Sequence, residues 1–279
     1  MPDILLHLLP HLAAALIYAG FGFYFWHTRW RESNRPHAPL PMQGWERTVI
    51  VSALLLQGIG LYVGLFSSGN LRFSFSLAVS LMLWLAVLIY WIESFHSRMD
   101  GMQPMVLPLA AVGAILPVLF PQTHEIANAQ AVGFKMHFLT AMLAYSLFTL
   151  SALHAIFMSF MERKLHHGSL NGYQTSLPSI LSMESLLFRM IGIAFLLLTL
   201  TLLSGLFFSE QIFGKAFVLD HKTVFAFASW ILFAALLFGR YSYGWRGRIA
   251  LRWTLAGFLL LVLAYIGSRF VVEIVLGRT

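Results

Sequence analysis

Eleven histidines stand in a chain of 279 residues that is 59% hydrophobic and only 10% charged. A neutral imidazole can ligate haem iron, bind a transition metal or relay a proton. His27, His37, His96, His166 and His167 fall in or beside arginine-rich stretches, where a solvated histidine needs no further explanation. The others lie in or next to apolar runs. His7 and His11 are four apart and share one helical face. His124 precedes an apolar run, His137 opens it, and His221 stands just before another. His154 lies deep inside the run that His137 opens. Two imidazoles on neighbouring helices can hold a flat cofactor between them as axial ligands. Such a site also needs apolar walls and cations for the cofactor's carboxylates. Phe208, Phe213, Phe217, Phe225 and Trp230 offer walls, and Lys135, Lys215, Lys222 and Arg269 offer cations. His137 and His221 are therefore candidate ligands of a haem iron, with His7, His11, His124 and His154 as secondary candidates; the alternative is that they sit at the membrane interface as ordinary amphipathic residues.

The composition narrows the chemistry further. The chain has no cysteine, so it holds no thiolate metal site, no iron–sulfur cluster and no C-x-x-C-H site for covalent haem. It shows no nucleophile-elbow or metalloprotease motif, and a non-enzymatic role is expected. The mean hydropathy is +0.77 and the isoelectric point about 9.9. A soluble chain carries roughly a quarter charged residues. The expected fold class is an all-α polytopic transmembrane bundle, a single integral-membrane domain over residues 1–279. The formal charge of +7 then reports topology rather than nucleic-acid binding.

Eight apolar runs must position the histidines: Ile4–Trp26, Thr48–Phe66, Phe73–Ile92, Met105–Phe120, His137–Phe160, Leu186–Phe208, Thr223–Gly239 and Trp253–Leu276. Asp3 and the lack of a basic stretch before the first run argue against a cleaved signal. The fourth run is short and carries Pro108 and Pro117, so a kinked or re-entrant segment is expected there. One set of connections holds Arg29, Arg31, Arg35, Arg47, Arg98, Arg163, Lys164, Arg240, Arg246, Arg248 and Arg252; the other holds only Arg72, Lys135, Lys215, Lys222 and Arg278. Short-loop basic bias makes the first set cytoplasmic, so both termini and the His137 and His221 level are expected outside. Trp26, Trp30, Trp45 and Trp253 fit interfacial anchors. Gly60 and Gly64 form a small-xxx-small pair for close helix packing. Gln57 and Tyr145 are expected to hydrogen-bond between helices. Glu93 is expected to reach the interface, Arg189 to pair with Glu184 or Glu162, and Arg269 with Glu273 or with a haem carboxylate.

The stretch from Phe213 to Trp230 resembles the tryptophan-rich WWD signature of the cytochrome c assembly and haem-handling membrane proteins (CcsA, CcmC and HemX types). Gly214, Asp220, Lys222 and Trp230 match it; Phe213, Phe217 and Leu219 stand where it has tryptophan, and His221 where it usually has proline. Gly244–Arg248, His137 with the following Met142–Tyr145, and Met183–Gly192 are also similar to that family. The resemblance runs over residues 60–276 and is closest to the small YpjD-like inner-membrane branch. It implies an external loop, flanked by histidines, that binds a b-type haem, and a place in the bacterial cytoplasmic (inner) membrane. It also implies work beside other membrane assembly proteins. On that reading Asp220, Phe213, Phe217, Trp230, Lys222 and Arg269 join His137 and His221 around the cofactor. The tail after Val272 has no histidine, where cytochrome c synthases often place their second one.

Two other functions use the same residues. A bis-histidine cytochrome passing electrons, for instance to quinone, needs a second redox site, for which His154 is the one candidate. A solute or metal-ion transporter would use His7, His11, His124 and His137 as an entry site, but the internal repeats common in transporters are absent.

Overall fold

In the computed structural model, residues 2–31, 42–66, 71–96, 101–121, 124–125, 131–166, 179–207, 221–267 and 270 are described; for residues 2–7, 31, 124–125 and 164–166 this concerns the backbone alone. Eight α-helices follow in order: α1 (Pro2–Phe25), α2 (Gly44–Phe66), α3 (Phe75–Glu93), α4 (Gln103–Leu119), α5 (Val132–His166), α6 (Ile180–Phe207), α7 (His221–Tyr243) and α8 (Gly247–Val262). Wider π-type turns, Trp26–Arg31 and Leu263–Gly267, extend α1 and α8. In hydrocarbon every backbone N–H and C=O must be satisfied within the segment, which leaves the helix as the form such runs take. Seven of the helices are long and apolar enough to cross a membrane; α4 is shorter.

The helices alternate in direction, so the bundle has two ends. The described arginines Arg29, Arg47, Arg163, Arg240, Arg246, Arg248 and Arg252 gather at one, and Arg72, Lys135 and Lys222 at the other, called here the far end. α1 packs between α2 and α4, and α3 joins this group to α5; α5 packs on α6 and α8, and α7 on α6 and α8. The long α5 is the most enclosed of the spanning helices.

The fourth run is not re-entrant. At its start the Gly101 carbonyl accepts from Trp30 Nε1 (3.0 Å) at the arginine-rich end. At its finish the Phe120 carbonyl accepts from Ser76 Oγ (2.7 Å) at the far end. Seventeen helical residues reach about 25 Å, enough to connect the two levels. Pro108 is accommodated by a neighbour: a methyl group at Gly22 would stand 2.8 Å from Pro108 Cγ, so the glycine admits the ring. Gly60 does the same for His11, whose Nε2 would lie 2.7 Å from a Cβ there.

Local signals set the ends. Ser74, extended at φ −153°, caps α3 by accepting from the Leu77 N–H (3.3 Å). The α7–α8 turn has Gly244 and Gly247 at φ +66° and +55°, a region glycine enters without strain. That turn starts α8 at Gly247, six residues before the expected Trp253. At the far end Arg72–Phe73 (β1) pairs antiparallel with His124–Glu125 (β2), tying the loop before α3 to the loop before α5.

Ion pairs between elements clasp the arginine-rich end. Arg29 meets Glu46 at 2.8 Å with side chains only 7% and 3% exposed, and Glu46 also accepts from the Gln43 N–H. Arg240 meets Glu184 at 2.6 Å and Arg248 meets Glu162 at 3.1 Å. Arg189 pairs with Glu93 rather than with Glu184 or Glu162. The expectation failed because helix rotation, invisible in spacing, turns Arg189 toward α3. Gln57 does bond between helices, Nε2 donating to the Ser80 hydroxyl (3.0 Å). Arg269 and Glu273 lie outside the described residues.

Candidate functional site

His137 lies in the second turn of α5 and faces α6, half-buried. Its Nδ1 is 2.9 Å from Ser204 Oγ. The Ser204 hydroxyl has one hydrogen and donates it to the Thr201 carbonyl (2.9 Å). The Ser204 oxygen is then open to accept from an Nδ1-protonated ring, and the Thr201 carbonyl is a second acceptor for the His137 ring. Thr140 supports this corner from the same helix, its hydroxyl donating to the His137 carbonyl (3.0 Å) and lying 3.2 Å from Thr201 Oγ1. Phe138 stacks on Phe134 (centroids 6.1 Å, planes 9° apart) and meets Phe73 edge-on at 5.1 Å. The imidazole thus sits beside aromatic packing at the far end.

His221 begins α7 at the same end and is exposed. Trp230 sets its level. Trp230 Nε1 donates to Thr199 Oγ1 (2.9 Å) and its ring stacks on Phe195 (5.5 Å). From that bond, α6 runs outward about 7.5 Å to Ser204 and α7 about 13.5 Å to His221. His221 therefore stands about 6 Å further out than the His137 level, roughly one helical turn. Lys135 and Lys222 occupy the first turns of α5 and α7.

The other candidates are dispersed. His11 is 3% exposed and lies against Gly60 of α2, not against α5 or α6. His154 is 2% exposed, with Nε2 2.9 Å from the Met183 carbonyl oxygen and Nδ1 3.1 Å from Met102 Sδ. The backbone places His124 opposite Phe73 at the far end; the side chains of His124 and His7 lie outside the described residues, as do Phe208, Phe213, Phe217, Asp220 and Arg269. Among the described residues no group of three or more His, Cys, Asp or Glu could hold a metal ion. Sequence reasoning passed over Ser204, Thr201, Thr140 and Thr199. Serine and threonine in apolar helices commonly bond back to their own turn, as Thr199 does to Phe195 and Thr201 to Leu197, so their types alone give no signal.

A family model described as "Cytochrome C assembly protein" matches residues 45–276. The chain belongs to that family. It is 28% identical over 237 residues to "Inner membrane protein YpjD" of Escherichia coli K12, covering 83% of this chain and 89% of that protein. It is 28% identical over 179 residues to "Uncharacterized 28.8 kDa protein in nifR3-like 5'region" of Azospirillum brasilense (63% of this chain, 66% of that one). It is 39% identical over 88 residues to "Cytochrome c biogenesis protein CcsA" of Prochlorococcus marinus MIT 9215 (32% and 28%). No solved structure matches the chain. With seven helices long and apolar enough to cross a membrane and these relatives, this member of the assembly family is a multi-pass protein of the bacterial inner membrane.

Proposed function

We propose that the protein holds or presents b-type haem at the far end of its bundle, on the periplasmic side, with His137 as an axial ligand and His221 as its partner. Basic-residue bias puts the arginine-rich end in the cytosol and the far end outside. The observation that carries the reading is the His137–Ser204–Thr201 chain of hydrogen bonds. A ligating histidine donates its second ring N–H to a protein acceptor, which fixes tautomer and ring direction. Ser204 and the Thr201 carbonyl are placed to hold the His137 ring in that way. The donor set therefore fits haem. The iron would supply the ligand-binding and redox centre; the chain's own residues supply orientation, aromatic packing at Phe134 and Phe138, and positive charge at Lys135 and Lys222. Phe213, Phe217, Asp220, Trp230 and Arg269 complete the expected surround. Holding haem requires no bond chemistry by the protein, and other membrane assembly proteins are the partners the family implies.

The test is the absorption spectrum of detergent-purified protein after haem supplementation. A Soret band is expected, lost in His137→Ala and weakened in His221→Ala. A spectrum without haem, or one unchanged in both variants, overturns the reading.

A further inference from the structure

The buried imidazole of His154 has no part in the haem reading, yet its surroundings are chemically incomplete. Its Nε2 lies 2.9 Å from the Met183 carbonyl oxygen. A carbonyl has no proton to give, so Nε2 must carry the hydrogen. In the neutral ring Nδ1 then carries the lone pair, and it faces the Met102 thioether sulfur at 3.1 Å. That sulfur has no proton either. Two electron-rich atoms thus lie in contact in the protein interior, where His154 is 2% and Met102 0% exposed. A cation bound by both atoms turns this repulsion into attraction. A proton would make a buried imidazolium, and the ring's described polar contacts include no carboxylate to offset it.

We propose that His154 and Met102 form a binding site for a soft monovalent metal ion, copper(I). Imidazole nitrogen with thioether sulfur is the donor combination that selects Cu(I) over harder ions. A single charge also costs far less to bury than a divalent one. With bonds of about 2.0 Å to nitrogen and about 2.3 Å to sulfur, the lengths zinc takes with these donor elements, a separation of 3.1 Å subtends roughly a right angle at the metal. The pair is therefore a cis pair that leaves room for a further ligand. Methionine is at hand: Met158 is one turn along α5 on the face of His154, and Met183 opens α6 beside the ring; each is 5% exposed. Met158 is the assigned third donor.

The site lies just inside the arginine-rich end. Trp30 covers that approach, donating to the Gly101 carbonyl next to Met102 and stacking on Phe157 and Phe160. Access is from the arginine-rich end, opposite to the proposed haem face, and the two sites are independent. Copper stays in the +1 state throughout, so no electron acceptor is needed.

The experiment titrates anaerobic Cu(I) into tag-free full-length protein against a chromophoric Cu(I) chelator. One equivalent per chain is expected to resist the chelator, with X-ray absorption showing both nitrogen and sulfur neighbours. Met102→Leu keeps the apolar volume and removes the donor; it is expected to weaken Cu(I) binding by about tenfold or more, since even partners one shell removed cost about that much. Met158→Leu is expected to weaken it too, and neither substitution to alter a haem spectrum. Failure of the wild-type chain to compete, or equal binding in Met102→Leu, overturns the proposal. If Met102→Leu does not fold, the wild-type spectrum decides: a first shell without sulfur overturns the site.

Discussion

The two ends of this bundle are held by different chemistry. At the arginine-rich end, guanidinium–carboxylate pairs reach between elements distant in sequence, Arg29 to Glu46, Arg240 to Glu184, Arg189 to Glu93 and Arg248 to Glu162. At the far end the described contacts around His137 are hydroxyls, carbonyls and aromatic rings, plus a two-residue strand pairing. Of these only Arg29–Glu46 is shielded from water on both sides, and removing one partner of such a pair is costly; exposed pairs such as Arg248–Glu162 contribute little. Neutral hydrogen bonds between membrane helices average only about 0.6 kcal/mol. Among the described residues the buried clamp thus stands at one end, while the other holds one imidazole through neutral hydrogen bonds. A substitution at each end should separate stability from binding.

The largest effect is expected at the clamp. Glu46→Ala leaves Arg29 buried without its carboxylate and should cost about 3–5 kcal/mol. Thermal unfolding in detergent should show a lower midpoint and a reduced folded yield; an unchanged midpoint would show that the clamp carries no stability. Next comes Ser204→Ala. It removes the acceptor that directs His137, so haem affinity should fall by about 10–100-fold while the unfolding midpoint barely moves. Ser204→Thr keeps the hydroxyl and should recover most of the affinity. A haem titration reads this, and an affinity unaffected by the alanine would divorce Ser204 from the ligand.

Much of the fold was legible because bilayer physics writes it in one dimension. Span length and apolar content found the eight helices seen among the described residues, seven of them long and apolar enough to cross a membrane, and basic bias separated two ends. What stayed hidden depends on rotation about helix axes. Arg189 was visible as a charge needing a partner, but its turn toward Glu93 was not. His137 was legible by type and by its place at a helix start, whereas Ser204 sits 67 residues away among other small hydroxyls. The prolines of α4 warned of a break, yet the helix runs on through Pro108 and Pro117, and Gly22 makes room for the Pro108 ring. His11, grouped with His137 by depth, belongs instead to the α1–α2 contact.

That last contrast yields a middle-sized prediction. Gly60→Ala would place a methyl 2.7 Å from His11 Nε2, so the ring must shift. Overpacking of this kind costs typically 1–3 kcal/mol, read as a lower unfolding midpoint with haem binding intact. Combining it with His11→Ala removes the obstruction, and the double variant should be more stable than the two single losses summed. Simple additivity would mean that the close approach is not what Gly60 provides.

The smallest effect is expected from Trp230→Phe, which links the two ends of the comparison. It deletes the Nε1 bond to Thr199 but keeps a ring to stack on Phe195. On the membrane average the lost bond is worth about 0.6 kcal/mol, near the limit of a thermal measurement. Trp230 also fixes where α7 stands against α6, and hence how far His221 reaches beyond His137. If His221 is the second ligand, a small slide of α7 should alter the Soret position or the reduction potential more visibly than stability. A variant with unchanged spectrum and potential would leave Trp230 as packing alone and would weaken the case for His221 in particular, while His137 and its Ser204 bond would stand.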